Sequence, residues 1–161
     1  SLTRFAEVVK IPQPQLQLCD LSEEVEACRP FLENLCFANH VALDFQLTDE
    51  AMPVHLDAVL FQQVLINIVK NAAESINGTQ GSIIISTTAP SQLTITDNGP
   101  GIPAEVAPHL FTPFYSTKPQ GQGLGLLLIR DILTAHHCTF SLLTDASDHL
   151  TRFTIQFPSK S

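Results

Sequence analysis

Between Asp57 and Ile76 the chain reads DAVLFQQVLINIVKNAAESI, and Leu60, Val64 and Ile68 recur at the spacing of a helix with one broad apolar stripe. This is the strongest helical signal in the sequence. A period of two replaces it in VALDFQL (41–47), which predicts a strand, and PVHLD (53–57) predicts another short one. The β-branched runs SIIISTTA (82–89) and QLTITD (92–97) predict two strands joined by a tight Pro-Ser turn, LQLCDL (16–21) predicts a strand near the start, and TFSLLT (139–144) and RFTIQF (152–157) predict two near the end. A helix is expected from Ser22, read as its N-cap, with Glu23, Glu24 and Glu26 in the first turns where the helix dipole favours acids. Pro30 is expected to kink it. A further helix is expected from about Leu124 to His137, and Leu2, Phe5, Val8 and Val9 have helical spacing until IPQPQ stops the pattern. No internal repeat or low-complexity tract interrupts this order. Interleaved helices and strands predict an α/β two-layer sandwich, with a mixed sheet of about five strands covered on one face by about three helices.

Composition narrows the classes. A chain of 161 residues is one domain of ordinary size, and it holds no apolar run near the roughly 20 residues that a membrane span needs. No charged segment followed by an apolar one opens it, so a cytoplasmic setting is expected, with any membrane anchor belonging to a larger parent. The four cysteines, Cys19, Cys28, Cys36 and Cys138, form no C-x-x-C pair and read as reduced thiols rather than a zinc site or disulfide framework. A net charge of −8 with only eight scattered Lys and Arg excludes a nucleic-acid partner, because phosphate contacts need clustered cations.

Glycine usage points to a ligand. Five of the seven glycines fall in two short loops, DNGPGIP (97–103) and GQGLGL (121–126). Glycine serves where backbone takes positive φ or approaches something other than protein. In the first loop Asp97 follows a strand directly. Its carboxylate can accept a hydrogen bond from an amino group such as the exocyclic amine of adenine, while Gly99 and Gly101 let backbone lie close to the base; the same letters also make an ordinary Asx-type turn. The second loop opens a helix, whose free N–H groups and dipole make an anion site. It is neither of two familiar phosphate loops: G-x-x-x-x-G-K-[ST] does not occur, and FYSTKPQ stands where a dinucleotide fingerprint needs a strand. On the strong helix, Asn67 and Asn71 are four residues apart and share one face within an otherwise apolar stripe. They either cap neighbouring backbone or serve a ligand: Asn71 can offer an oxygen to Mg²⁺, and Lys70 can meet a phosphate as a point charge.

Together these pieces resemble a known family. LINIVKNAAESI, DNGPGIP, FTPFYSTK and GQGLGL are similar, in order and spacing, to the N, G1, F and G2 boxes of the catalytic, ATP-binding domain of sensor histidine kinases, in the GHKL superfamily with the gyrase-type and MutL-type ATPases. The closest likeness is to the short-lid kinases of nitrogen regulation and oxygen sensing. The resemblance implies a GHKL fold, ATP and Mg²⁺ as cofactors, and transfer of the γ-phosphoryl group to a histidine in a separate dimerisation domain, for relay to the receiver domain of a response regulator in two-component signalling. It implies that Asn71 binds Mg²⁺, Asn67 lines the phosphate end, Lys70 faces the phosphates and Asp97 holds the adenine amine. Gly99, Gly101 and Ile102 would floor the base pocket, Phe111 and Phe114 anchor the lid, and Lys118 reach a phosphate. Gly121, Gly123, Leu124 and Gly125 would form the lid hinge and phosphate loop. Residues 1–12 resemble the end of a preceding dimerisation helix with its linker, residues 13–161 the catalytic domain, and the full-length protein is expected to be a homodimer.

One position separates kinase from hydrolase. Where the superfamily's ATPases carry a Glu that activates water, four residues before the metal-binding Asn, this chain has Asn67, which cannot accept a proton. The alternatives are a GHKL-type ATP hydrolase and a non-catalytic nucleotide-binding regulatory module. None of the six histidines stands in a phosphoacceptor setting, so each reads as a surface or satisfied residue. The chain also departs from the family after its last helix, where HHC (136–138) and DHLTRF (148–153) replace the usual glycines, and Glu74 stands three residues after Asn71 where some relatives place a basic residue.

Overall fold

The computed structural model describes residues 11–76, 80–113 and 125–159. Its elements in chain order are β1 (Gln17–Asp20), α1 (Leu21–Ala27), α2 (Arg29–Ala38), β2 (Val41–Gln46), β3 (Pro53–Leu56), α3 (Ala58–Ser75), β4 (Gly81–Thr88), β5 (Gln92–Asp97), a 3₁₀ turn (Ala107–His109), α4 (Gly125–Ala135), β6 (Thr139–Thr144) and β7 (Thr151–Gln156). Five strands make one sheet in the order β2-β4-β5-β7-β6, in which only the β2–β4 pair is parallel. The two remaining strands, β1 and β3, pair antiparallel in a ribbon of their own.

Alternation along the strands explains why this is a two-layer molecule. Ile83 and Ile85 of β4, Leu93 and Ile95 of β5, and Phe153 and Ile155 of β7 are buried, and the residues between them are half-buried on the opposite face. Against the buried face lie Phe61, Val64, Leu65 and Ile68 of α3, Ile129, Ile132 and Leu133 of α4, and Leu21, Val25 and Leu32 of the first two helices. At roughly 1.5 to 3 kcal/mol for each such buried side chain, this single interface supplies the main driving force for the fold.

Local chemistry sets the helix ends, and here the structure corrects three expectations. Asp20, not Ser22, is the N-cap of α1: its Oδ1 accepts from Glu23 N at 3.1 Å and its Oδ2 from Met52 N at 2.9 Å. Ser22 instead meets the Thr87 hydroxyl at 2.8 Å. Pro30 does not kink one helix but opens a second, since a break at Cys28 puts it in the first turn of α2, where its missing N–H costs nothing. Among the described residues four helices result where about three were expected. The last helix ends at Ala135, two residues early. Cys138 N reaches Leu133 O at 3.0 Å and His137 N reaches Thr134 O at 2.9 Å, with His137 at φ 61°, the Schellman arrangement that normally uses glycine. Among the described residues no helix is long and apolar enough to cross a membrane.

Candidate functional site

Asp97 ends β5 on the helix-facing side of the sheet, with 9% of its surface exposed. Its Oδ1 accepts from Gly99 N at 2.9 Å, the Asx turn that the letters DNG allow. This is its one hydrogen bond among the described residues, so Oδ2 remains an acceptor for something else. Burial pushes the Asp97 carboxyl above its ordinary range, and the Gly99 N–H only partly opposes this.

The loop after Asp97 is held at both ends. Asn98 fixes the near end to β4: its Oδ1 accepts from Ser82 N at 2.7 Å and its Nδ2 donates to Gln80 O at 2.9 Å. Thr144 fixes the far end, where its Oγ1 accepts from Ile102 N at 2.8 Å. A Cβ on Gly99 would stand 3.0 Å from Asp97 Oδ1 and 3.2 Å from Ile76 Cγ1, so only glycine lets the loop close onto both. Gly101 has φ 85°, a left-handed conformation that suits glycine, and a Cβ there would press on Thr144 at 3.2 Å.

Helix α3 brings its last turn to the same place. Ser75 Oγ donates to Ala72 O at 2.9 Å and would lie 3.4 Å from a Gly99 Cβ, so the helix end abuts the glycine loop one turn beyond Asn71. Asn67 and Asn71 are half-buried, and Lys70 is exposed. The two asparagines therefore flank the buried stripe rather than sit within it, and their amides do not carry the full cost of core burial.

Phe111 lies in an aromatic cluster, edge-on to Phe140 at 5.2 Å and to Phe153 at 5.9 Å, and its carbonyl accepts from Arg130 Nη1 of α4 at 3.1 Å. Phe111 is thus fastened to both layers. Gly125 is the first residue of α4, and among the described residues nothing lies within 4 Å of a Cβ built on it. Phe114, Lys118, Gly121, Gly123 and Leu124 lie outside the described residues.

Sequence reasoning missed two polar arrangements. The first is a row across three strands: Asp97 is paired in register with Thr151, and Thr151 with Thr144, so all three side chains face the helices, with the threonine hydroxyls 2.7 Å apart. The alternation of each strand contained this signal, but only the register joins the three positions. The second centres on buried His136. Its Nε2 accepts from Asp57 N at 3.0 Å and its Nδ1–H donates to Ile132 O at 2.8 Å, which fixes the tautomer. The Asp57 carboxylate in turn caps α3 through Leu60 N at 3.1 Å and accepts from Gln15 N at 2.9 Å.

Residues 56–161 match the family model described as histidine kinase-, DNA gyrase B- and HSP90-like ATPase. Sensory histidine kinase/phosphatase NtrB of Rhizobium meliloti (strain 1021) is 34% identical over 118 residues, which cover 62% of this chain and 31% of that protein. Sensor protein FixL of Bradyrhizobium diazoefficiens is 35% identical over 122 residues, covering 72% of this chain and 24% of that protein. The chain thus spans about a third or less of the curated relatives it matches. Among solved structures, the catalytic domain of histidine kinase ThkA superposes with a TM-score of 0.76 at 28% identity, covering 90% of this chain and 96% of that one.

Proposed function

The chain belongs to the family of histidine kinase-, DNA gyrase B- and HSP90-like ATPases, and from that premise we propose that it is the ATP-binding catalytic domain of a sensor histidine kinase. The observation that carries the reading is a buried Asp97 with one carboxylate oxygen uncommitted, set against a glycine loop and the end of α3. The uncommitted oxygen is not sealed in the core, since no buried side-chain oxygen among the described residues lacks a partner, so it is open to a ligand's donor, and the exocyclic amine of adenine supplies one. Gly99, Gly101 and Ile102 present backbone to the base, and the N-terminus of α4 at Gly125 offers N–H groups to phosphate oxygens.

The donor chemistry of α3 suits a hard cation. Asn71 would hold Mg²⁺ through its amide oxygen, and the bound ion would neutralise charge on the phosphates. Lys70, exposed beside it, and Lys118 add positive charge for the phosphates, and Asn67 lines that end of the site. Because Asn67 cannot act as a base, water is poorly activated, and the γ-phosphoryl group is reserved for a better nucleophile. That nucleophile is a histidine nitrogen in a separate phosphoacceptor and dimerisation domain, joined through residues 1–12, with a response regulator receiving the phosphoryl group next. The P–O bond to ADP breaks as the P–N bond to histidine forms, and ADP leaves with the electron pair. Titration calorimetry with ATP and Mg²⁺ tests the proposal: heat of binding is expected from the parent and not from Asp97→Asn. Equal binding by both would reject it.

A further inference from the structure

We infer that Thr144, on the edge strand β6, is a positioning residue that sets adenine recognition without touching the base. This rests on the ATP-binding reading above. Thr144 is 47 positions after Asp97 in the chain, yet register makes them neighbours-but-one across the sheet, with Thr151 between them. Its single hydroxyl does two things at once. It accepts from Ile102 N at 2.8 Å and shares a hydrogen bond with Thr151 Oγ1 at 2.7 Å. Its γ carbon and oxygen also form the surface on which Gly101 rests, since a Cβ on that glycine would come within 3.2 and 3.3 Å of them.

The loop's near end does not depend on this. Asn98 makes two side-chain bonds to Ser82 N and Gln80 O, and its own N–H reaches Ser82 O at 3.2 Å. Asp97 and Gly99 are locked to one another by their own hydrogen bond. What Thr144 alone fixes among the described residues is the height of Gly101 and Ile102 over the sheet, and with it the width of the slot that a base must fill beside Asp97. It also engages the hydroxyl of buried Thr151, the polar group directly next to Asp97 in the row. Losing the Thr144 hydroxyl would therefore loosen the base end of the pocket and leave the α3 and α4 residues proposed for the phosphates undisturbed.

Thr144→Val keeps the β-branched shape and removes the hydroxyl; Thr144→Ser keeps the hydroxyl. The Ile102 amide is expected to exchange with solvent much faster in Thr144→Val and at the parental rate in Thr144→Ser. The Kd for ATP is expected to rise about tenfold in the valine variant, the worth of one backbone hydrogen bond. Affinity for inosine triphosphate, which lacks the 6-amino group, should change less than the ATP value. With a supplied phosphoacceptor domain, KM for ATP rises and kcat holds. Unchanged Ile102 exchange and ATP affinity in a folded Thr144→Val would overturn the inference, and so would a serine variant as impaired as the valine one. Should valine prevent folding, Thr144→Ala read by the same exchange measurement decides. If the parent itself bound no ATP, the ATP-binding reading would fall, while Ile102 exchange would still report whether Thr144 holds the loop.

Discussion

At the ribbon, Asp20 and Asp57 stand where β1 and β3 give way to α1 and α3, and each commits both carboxylate oxygens to backbone N–H groups. One oxygen caps the helix that follows and the other reaches across to the partner strand's approach, Met52 N for Asp20 and Gln15 N for Asp57. At the end of the main sheet Asp97 also closes a strand, but it is more deeply buried and holds a single N–H with one oxygen. The pKa directions of Asp57 and Asp97 follow this contrast. The Gln15 N–H, with further backbone N–H groups at the start of α3, draws the Asp57 carboxyl below its ordinary range, whereas burial drives Asp97 above it. The two carboxylates of the ribbon are thus satisfied by the fold, whereas that of Asp97 keeps one oxygen uncommitted among the described residues, as the proposed ligand site requires.

Four experiments sharpen the contrast. The largest expected effect is on binding: Asp97→Asn should lower ATP affinity by about a hundredfold or more, which calorimetry reads directly. The same change should leave the domain as stable as the parent at neutral pH, or more so, because it removes a buried charge and keeps the Oδ1 acceptor for Gly99 N–H. Next, Asp57→Ala should cost about 2 kcal/mol by chemical denaturation, the upper range for a lost cap, with the ATP Kd within about twofold of the parent. Asp57→Ala that binds poorly would blur the distinction between the two ends.

The pH dependence separates the two carboxylates by sign. Asp97, raised in the native state, favours folding below its unfolded pKa, and that contribution disappears as pH rises through its folded value; the stability advantage of Asp97→Asn should therefore shrink as the solution is acidified. Asp57, lowered, contributes above its unfolded pKa and loses that contribution as pH falls through its folded value, so the deficit of Asp57→Ala should shrink in acid as well, over a lower range. Thermal melts from neutral pH to pH 2 would follow both. The smallest effect concerns backbone strain. His40, His137 and His149 have φ near 60° and exposed side chains, so replacing each with glycine should add about 0.5 kcal/mol, offset in part by the freer unfolded chain. A triple variant no more stable than the parent would show that the histidines make up for their conformation.

Those histidines illustrate how unevenly the sequence spoke. The glycine loop at 97–103 announced itself because glycine is scarce here, but the positive-φ turns at His137 and His149 stayed hidden, since histidine adopts φ > 0 far less often than glycine and signals it only weakly. Period-two alternation found β2, β-branched runs found β4 and β5, and period 3.6 found α3, because each is a local property of its own segment. That β1 and β3 would leave the main sheet to pair with one another is non-local, and no pattern within LQLCDL or PVHLD encodes it. Ser22 and Asp20 are equally good caps by residue type. Asp20 wins because it also satisfies Met52 N, thirty-two residues away in the chain. The pairing of Asn67 and Asn71 on one face was readable from spacing, whereas their half-buried rank beside the stripe depended on how α3 rotates against the sheet.

The bond from Gln15 N to Asp57 has a mechanical consequence. Tension on the chain ahead of β1 is delivered to the first turn of α3 instead of peeling the ribbon strand by strand, and His136 makes α4 share the load. The 18 residues of α3 form a strut about 27 Å long whose far tip leans on Gly99. Torque applied ahead of β1 thus arrives, through one stiff lever, at Gly99 and the loop that follows Asp97.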